Sequence, residues 1–241
     1  MSAPKIEYLG LNVSLDGSLI ERKLYYHWES NYIELIPSSI KGYILPFDFG
    51  IRKNGDEISV SSFLRDVNHE TLEALFRFIN DCGIESCFDD LKSQFLYILN
   101  PNEDCHYPPI VSLKFYNCIM NKISLYVAPL HAKDKMADYM SRALTIFKMK
   151  SKNHIRRMVR DLVASHICDL FMTAWDLKST IESYKIYLKI KKLSEMESVV
   201  AGNFPEIIPY IHEDGFRFCE IALSFVNDEL NHYNLYFKPL H

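Results

Sequence analysis

Along Tyr184-Lys185-Ile186-Tyr187-Leu188-Lys189-Ile190 polar and apolar positions alternate without a break. Lys185, Tyr187 and Lys189 fall on one face and Tyr184, Ile186, Leu188 and Ile190 on the other, which predicts a half-buried strand. The same phase returns at Arg22-Lys23-Leu24-Tyr25, Ile123-Ser124-Leu125-Tyr126 and Tyr233-Asn234-Leu235-Tyr236, each time with a tyrosine two residues after a Lys, Ser or Asn. Each strand has a plausible antiparallel partner just upstream, so the unit is a hairpin. A fifth unit, Asp48 to Ser61, keeps the hairpin without the tyrosine, and its Asn54-Gly55 is a strong turn signal.

Taken in order, residues 6–28 predict a first hairpin about Asp16-Gly17, with Leu9, Leu11 and Val13 packed and Tyr8, Gly10 and Asn12 opposite. The second runs from about Gly42 to Phe63. Asn68 is a good helix cap, Leu72, Leu75, Phe76 and Ile79 recur at helical spacing, and Gly83 ends the run. A shorter helix carries Phe88, Leu91, Phe95 and Ile98. Hairpin three pairs Val111–Tyr116 with Lys122–Ala128. Two amphipathic helices follow, over 132–149 and about Ile155 to Val163, the second with Arg156, Arg157 and Arg160 on a solvated side. Hairpin four pairs Leu170–Asp176 with Ile181–Ile190. A helix from Leu193 is interrupted near Gly202 and Pro205, and Phe218–Val226 with Tyr233–Leu240 close the chain.

Ten strands in five antiparallel hairpins separated by helices form an internal repeat. Left open, such a sheet exposes two long edges; closed, it loses them and the helices coat the outside. The expected fold is therefore α+β: a ten-stranded antiparallel β-barrel of five repeated hairpins within an outer layer of α-helices, one domain over 1–241. Ten strands enclose more space than side chains fill, so a lumen is expected, lined by the polar phase of each strand.

Composition narrows the partners. Of 241 residues 48% are apolar and 13% aromatic, and the formal charge is −4 without a basic stripe, which argues against nucleic acid or an anionic membrane. The six cysteines form no CxxC pair and read as buried thiols. With neither an apolar signal core nor a membrane-length run, a soluble, cytoplasmic protein is expected.

With this phasing the lumen receives Lys23, Arg52, Lys114, Lys185 and Lys189 together with Tyr25, Tyr116, Tyr126, Tyr187 and Tyr236. Cations in a water-poor cavity are costly unless an anion joins them, and a diphosphate fits: Lys and Arg give charge-assisted hydrogen bonds and phenols add neutral donors. Phenol rings do something a phosphate does not need, since their faces stabilise a carbocation and keep water from it. Asp48 and Glu220 fall in the same phase, and each is either a base for an acceptor proton or a salt-bridge partner. His27 extends the Lys23/Tyr25 face as a further base candidate. Phe171 and Trp175 are candidates for an apolar wall around the hydrophobic part of such a ligand, with core packing as the other reading.

These residues resemble the aromatic prenyltransferases of the ABBA barrel family, whose second strands carry Lys-x-Tyr. The pattern is complete at Lys23/Tyr25 and Lys185/Tyr187; at Tyr126 and Tyr236 the lysine is replaced by Ser124 and Asn234, and at hairpin two Ser59 and Ser61 replace both. Gly10-Leu-Asn-Val13 and the Phe47 to Gly55 segment look most like the cyanobactin branch, which prenylates peptides. The resemblance implies transfer of a dimethylallyl or geranyl group from its diphosphate to an electron-rich acceptor, a side chain of a cyclic peptide or a small aromatic. Asp89-Asp90 is followed by Leu, Lys and Ser, so no Asp-Asp-x-x-Asp cluster exists, and no metal site in the protein is expected; any Mg²⁺ would ride on the diphosphate. The rivals are a non-catalytic barrel binding an anionic hydrophobe, and a structural α+β protein with an open sheet.

Overall fold

The computed structural model of the chain describes residues 6–27, 36–65, 67–84, 88–99, 109–117, 119–127, 133–146, 157, 161, 168–178, 181–190, 193–227 and 229–240. The strands are β1 (Ile6–Ser14), β2 (Leu19–His27), β3 (Ile44–Asn54), β4 (Glu57–Leu64), β5 (Ile110–Tyr116), β6 (Ile119–Val127), β7 (Cys168–Leu177), β8 (Ile181–Ile190), β9 (Phe216–Val226) and β10 (Glu229–Pro239). Each pairs antiparallel with its neighbours in sequence, and β1 pairs with β10, so the sheet closes into a barrel. The shortest seam among the described residues is β2–β3, held by two residue pairs, Tyr26 with Lys53 and His27 with Arg52. The hairpin turns all lie at one end of the barrel, as they must when every strand reverses on its predecessor. Gly17 and Gly55 turn two of them at φ +83° and +58°, a region that costs other residues steric strain.

Among the described residues the helices are α1 (Ser38–Lys41), α2 (His69–Asp81), α3 (Phe88–Leu99), α4 (Lys133–Ile146) and α5 (Leu193–Asn203), with a 3₁₀ turn over Pro205–Tyr210. Asn68 caps α2 by accepting a hydrogen bond from the Thr71 backbone N–H at 2.9 Å. The helix expected around Ile155 to Val163 lies outside the described residues, apart from Arg157 and Asp161. No helix among the described residues is long and apolar enough to cross a membrane.

The main core lies between barrel and helices. Leu9, Leu11, Leu113, Leu125, Ile186, Leu223 and Leu235, one phase of the strands, pack in a single cluster with Leu75, Phe76 and Phe95 of α2 and α3. Tyr139 of α4 donates a 2.5 Å hydrogen bond to the Val127 carbonyl and shares one of 2.6 Å with Thr173 Oγ1, tying that helix to β6 and β7. A second, separate cluster holds Ala174, Tyr187 and Ala222, with Tyr126, Met172 and Tyr236 against them. Its members belong to the opposite phase, so this cluster is inside the barrel.

Candidate functional site

Large and small side chains alternate around the inside. Tyrosines project from the second strand of four hairpins, Tyr25, Tyr126, Tyr187 and Tyr236, and the intervening strands offer Gly10, Ala174 and Ala222 beside them. The register sets Tyr126 opposite Ala174, Tyr187 opposite Ala222 and Tyr236 opposite Gly10. A Cβ on Gly10 would stand 3.0 Å from Cε2 of Tyr25, so glycine is what lets that ring come this close to β1. Ring centroids of Tyr126 and Tyr187 are 5.8 Å apart and those of Tyr187 and Tyr236 are 6.1 Å apart, the latter nearly parallel at 27°. Burial pushes the hydroxyls of Tyr126, Tyr187 and Tyr236 above the usual phenol range, so all three stay neutral.

Nearer the hairpin turns a charged layer is centred on Asp176. Its carboxylate takes a 2.6 Å ion pair from Lys185, a second of 3.2 Å from Lys122, and hydrogen bonds from Ser124 at 2.6 Å and Ser183 at 3.2 Å. Burial alone would favour the neutral acid, but Lys185, Lys122 and Lys114 outweigh it and hold the group well below the carboxylate range. Lys185 moves the opposite way: burial disfavours its charge, and Asp176 more than restores it, raising the ammonium above its ordinary value. Lys114 has no such close partner among the described residues, and burial with the charge of Lys185 brings it down to about 8. Three lysines thus converge on one buried carboxylate, with Glu57 felt by Lys114 from the turn end of β4. Positive charge is in excess, which is the electrostatic condition for holding an anion.

The lumen phase expected for Lys114, Lys185, Tyr25, Tyr126, Tyr187 and Tyr236 is the one these residues occupy. Others stand differently. Lys23 is inward but paired with Glu21 at 3.1 Å. Lys189 is exposed at the far end of β8, opposite Glu220 in the register. Tyr116 is 52% exposed at the turn-end rim and takes no part in the phenol layer. Trp175 corrects the expectation of an apolar wall: it lies on the outer face of β7, fully buried, its Nε1 donating to Gln94 at 3.2 Å and its ring 5.8 Å from Phe95 of α3. Strand alternation sends Trp175 outward because Ala174 and Asp176 point in. The side chains of His27, Asp48, Arg52 and Phe171 lie outside the described residues. Glu220 faces inward beyond the phenols, near enough to raise Tyr187 and Tyr236 further.

Asp176 and Lys122 are among the lumen residues that the sequence pattern did not single out. The signal for Lys122 was present: it continues the Ser124/Tyr126 phase of β6. That for Asp176 was weaker, since an aspartate at a strand end before Leu-Lys-Ser equally marks a turn. Among the described residues no three of His, Cys, Asp and Glu gather as a metal site.

No family model matches the chain, and no curated protein matches it in sequence. A solved structure does match in shape, that of 5-dimethylallyltryptophan synthase from Streptomyces coelicolor, with a TM-score of 0.53 and 9% identity over 97% of this chain and 80% of that one. The barrel is similar to that of an aromatic prenyltransferase. At this identity the likeness concerns the fold. The chemistry has to be argued from the residues inside this barrel.

Proposed function

We propose that the chain transfers a prenyl group from an allylic diphosphate to an electron-rich acceptor held inside the barrel. The observation that carries this reading is the stacking of two unlike layers along one axis: lysines with surplus charge toward the hairpin turns, and neutral phenols behind them. The diphosphate is held by Lys114, Lys122 and Lys185, with Arg52 and Lys23 as further candidates by strand phase. The allylic C–O bond breaks and its electron pair leaves with the diphosphate. The resulting cation lies against the rings of Tyr126, Tyr187, Tyr236 and Tyr25, whose quadrupoles stabilise it. The acceptor attacks from the far side, and its displaced proton passes to a base. Glu220 is the base candidate on that side; His27 and Asp48 keep theirs by strand phase.

In the described lumen Asp176 is already gripped by two ammonium groups and Glu220 lies apart from it beyond the phenols, which is a poor donor set for Mg²⁺. Any Mg²⁺ would come with the diphosphate, and no step above runs through it. The acceptor is proposed as an aromatic or peptide side chain.

Incubation with labelled dimethylallyl diphosphate and a mixed pool of indoles, phenols and cyclic peptides tests the reading. Label should move to one acceptor class in wild type, and Tyr187→Ala should lose most of the transfer. Absence of any transfer with dimethylallyl and geranyl donors across the whole pool would remove it. One observation favours a second reading, a barrel that binds an anionic hydrophobe without turnover: both complete Lys-x-Tyr sites have the lysine already engaged, Lys23 by Glu21 and Lys185 by Asp176. Tight binding of a thiolo-diphosphate analogue with no turnover of the parent donor would select it.

A further inference from the structure

Lys185 has Asp176 on one side, and on the other the register sets it opposite Ser224 of β9. Ser224 is fully buried in the inward phase, and its hydroxyl has no hydrogen-bond partner. One strand further on, His232 lies opposite Ser224, and Asn234, 6% exposed, points inward from the same strand with its Nδ2 also unpartnered. A buried donor without a partner is costly, so two side by side next to a surplus of ammonium groups call for a ligand with acceptor atoms.

The orientation of Asn234 follows from its neighbours. Asn231 Nδ2 donates to His232 Nδ1 at 2.9 Å, which leaves the ring proton on Nε2. The imidazole is held in its neutral form by burial and by the charge of Lys185, and its hydrogen bond to Asn234 falls to that Nε2–H. Asn234 therefore gives its oxygen to the ring and keeps its NH₂ for the lumen. Asn231, His232 and Asn234 act as a chain that aims an amide donor.

We infer that Ser224 and Asn234 are ligand-binding residues that donate hydrogen bonds to phosphoryl oxygens held by Lys185, forming a neutral wall of the anion site on β9 and β10. The inference rests on the diphosphate reading for its ligand class, but its test needs no turnover. Inorganic diphosphate is titrated calorimetrically into wild type, Ser224→Ala and Asn234→Asp. Ser224→Ala should weaken binding about tenfold, the usual scale of one hydrogen bond to a charged group. Asn234→Asp keeps the oxygen that accepts from His232 and turns the donor into a negative charge, so its loss should be larger.

A second readout separates binding from a structural role. Removing an unpartnered hydroxyl should leave the melting temperature of the ligand-free protein unchanged or higher in Ser224→Ala, while the rise in that temperature on adding diphosphate shrinks. Wild-type affinity in both variants, or no diphosphate binding by wild type, overturns the inference and leaves these donors to ordered water. The prenyl-transfer assay is scored apart: transfer with unaffected diphosphate affinity in the variants sinks the inference alone, and weakened affinity without transfer in wild type supports the inference and sinks the enzymatic reading.

Discussion

Asp176 is 1% exposed and holds two ammonium groups, so its contribution to stability differs in kind from that of the surface pair Arg22–Glu213 at 2.8 Å. A buried pair roughly offsets its own desolvation, but loss of one partner leaves the other charged and dry. Asp176→Asn should therefore destabilise the fold by about 3 kcal/mol, read as a lower denaturant midpoint at unchanged slope. Exposed Arg22→Ala should move it by less than about 1 kcal/mol. Lys185 was legible from its place in an alternating strand, whereas its partner was not. Which carboxylate meets which lysine is decided by the β7–β8 register, in which Asp176 pairs with Ser183 and Lys185 with Ala174, so the acid reaches its lysine diagonally. Local patterning carries no information on that diagonal.

β7 shows at the scale of an element how far alternation can be read and where it fails. Met172, Ala174 and Asp176 face the lumen and Thr173 and Trp175 face the helices, a division the period of two dictates. What the period leaves open is which phase is inside, because an indole fits an apolar lumen wall as well as a helix interface. The deciding context is non-local: Phe95 of α3, itself edge-on to Phe76 of α2 at 5.5 Å, supplies the surface that Trp175 buries. Trp175→Ala should cost about 3–5 kcal/mol, while the diphosphate affinity of the folded protein stays within twofold of wild type. A sharp loss of affinity at full folding would return Trp175 to the ligand site. The opposite behaviour is expected at Gly10, where Ala forces the Tyr25 ring to shift by a few tenths of an ångström at little cost in stability and disturbs transfer.

For the molecule as a whole, a formal charge of −4 conceals a cationic interior, and closing the barrel is what creates it by bringing Lys114, Lys122 and Lys185 from three strands around one axis. That concentration of charge has a pH signature. In the unfolded chain Lys114 takes its ordinary pKa of about 10.4, and in the fold about 8. Below pH 8 both states are protonated and the fold carries the cost of the buried charge; between about 8 and 10.4 folding releases a proton, so this group makes the fold more stable as pH rises. Asp176 titrates far lower, Lys185 and the phenols of Tyr187 and Tyr236 higher, and His232 below its usual range, so none changes charge in the fold near pH 8. Cys219, pushed up to about 12 by burial, and Cys82, raised less, act with the opposite sign above about pH 8.5, where unfolded thiols ionise. A comparison with Lys114→Met removes that background. The wild type minus variant difference in stability should rise from pH 7.5 to 9.5, and over the same interval the wild-type advantage in binding inorganic diphosphate should shrink toward nothing. The two slopes have opposite signs because one proton is a burden to the empty barrel and an asset to the filled one.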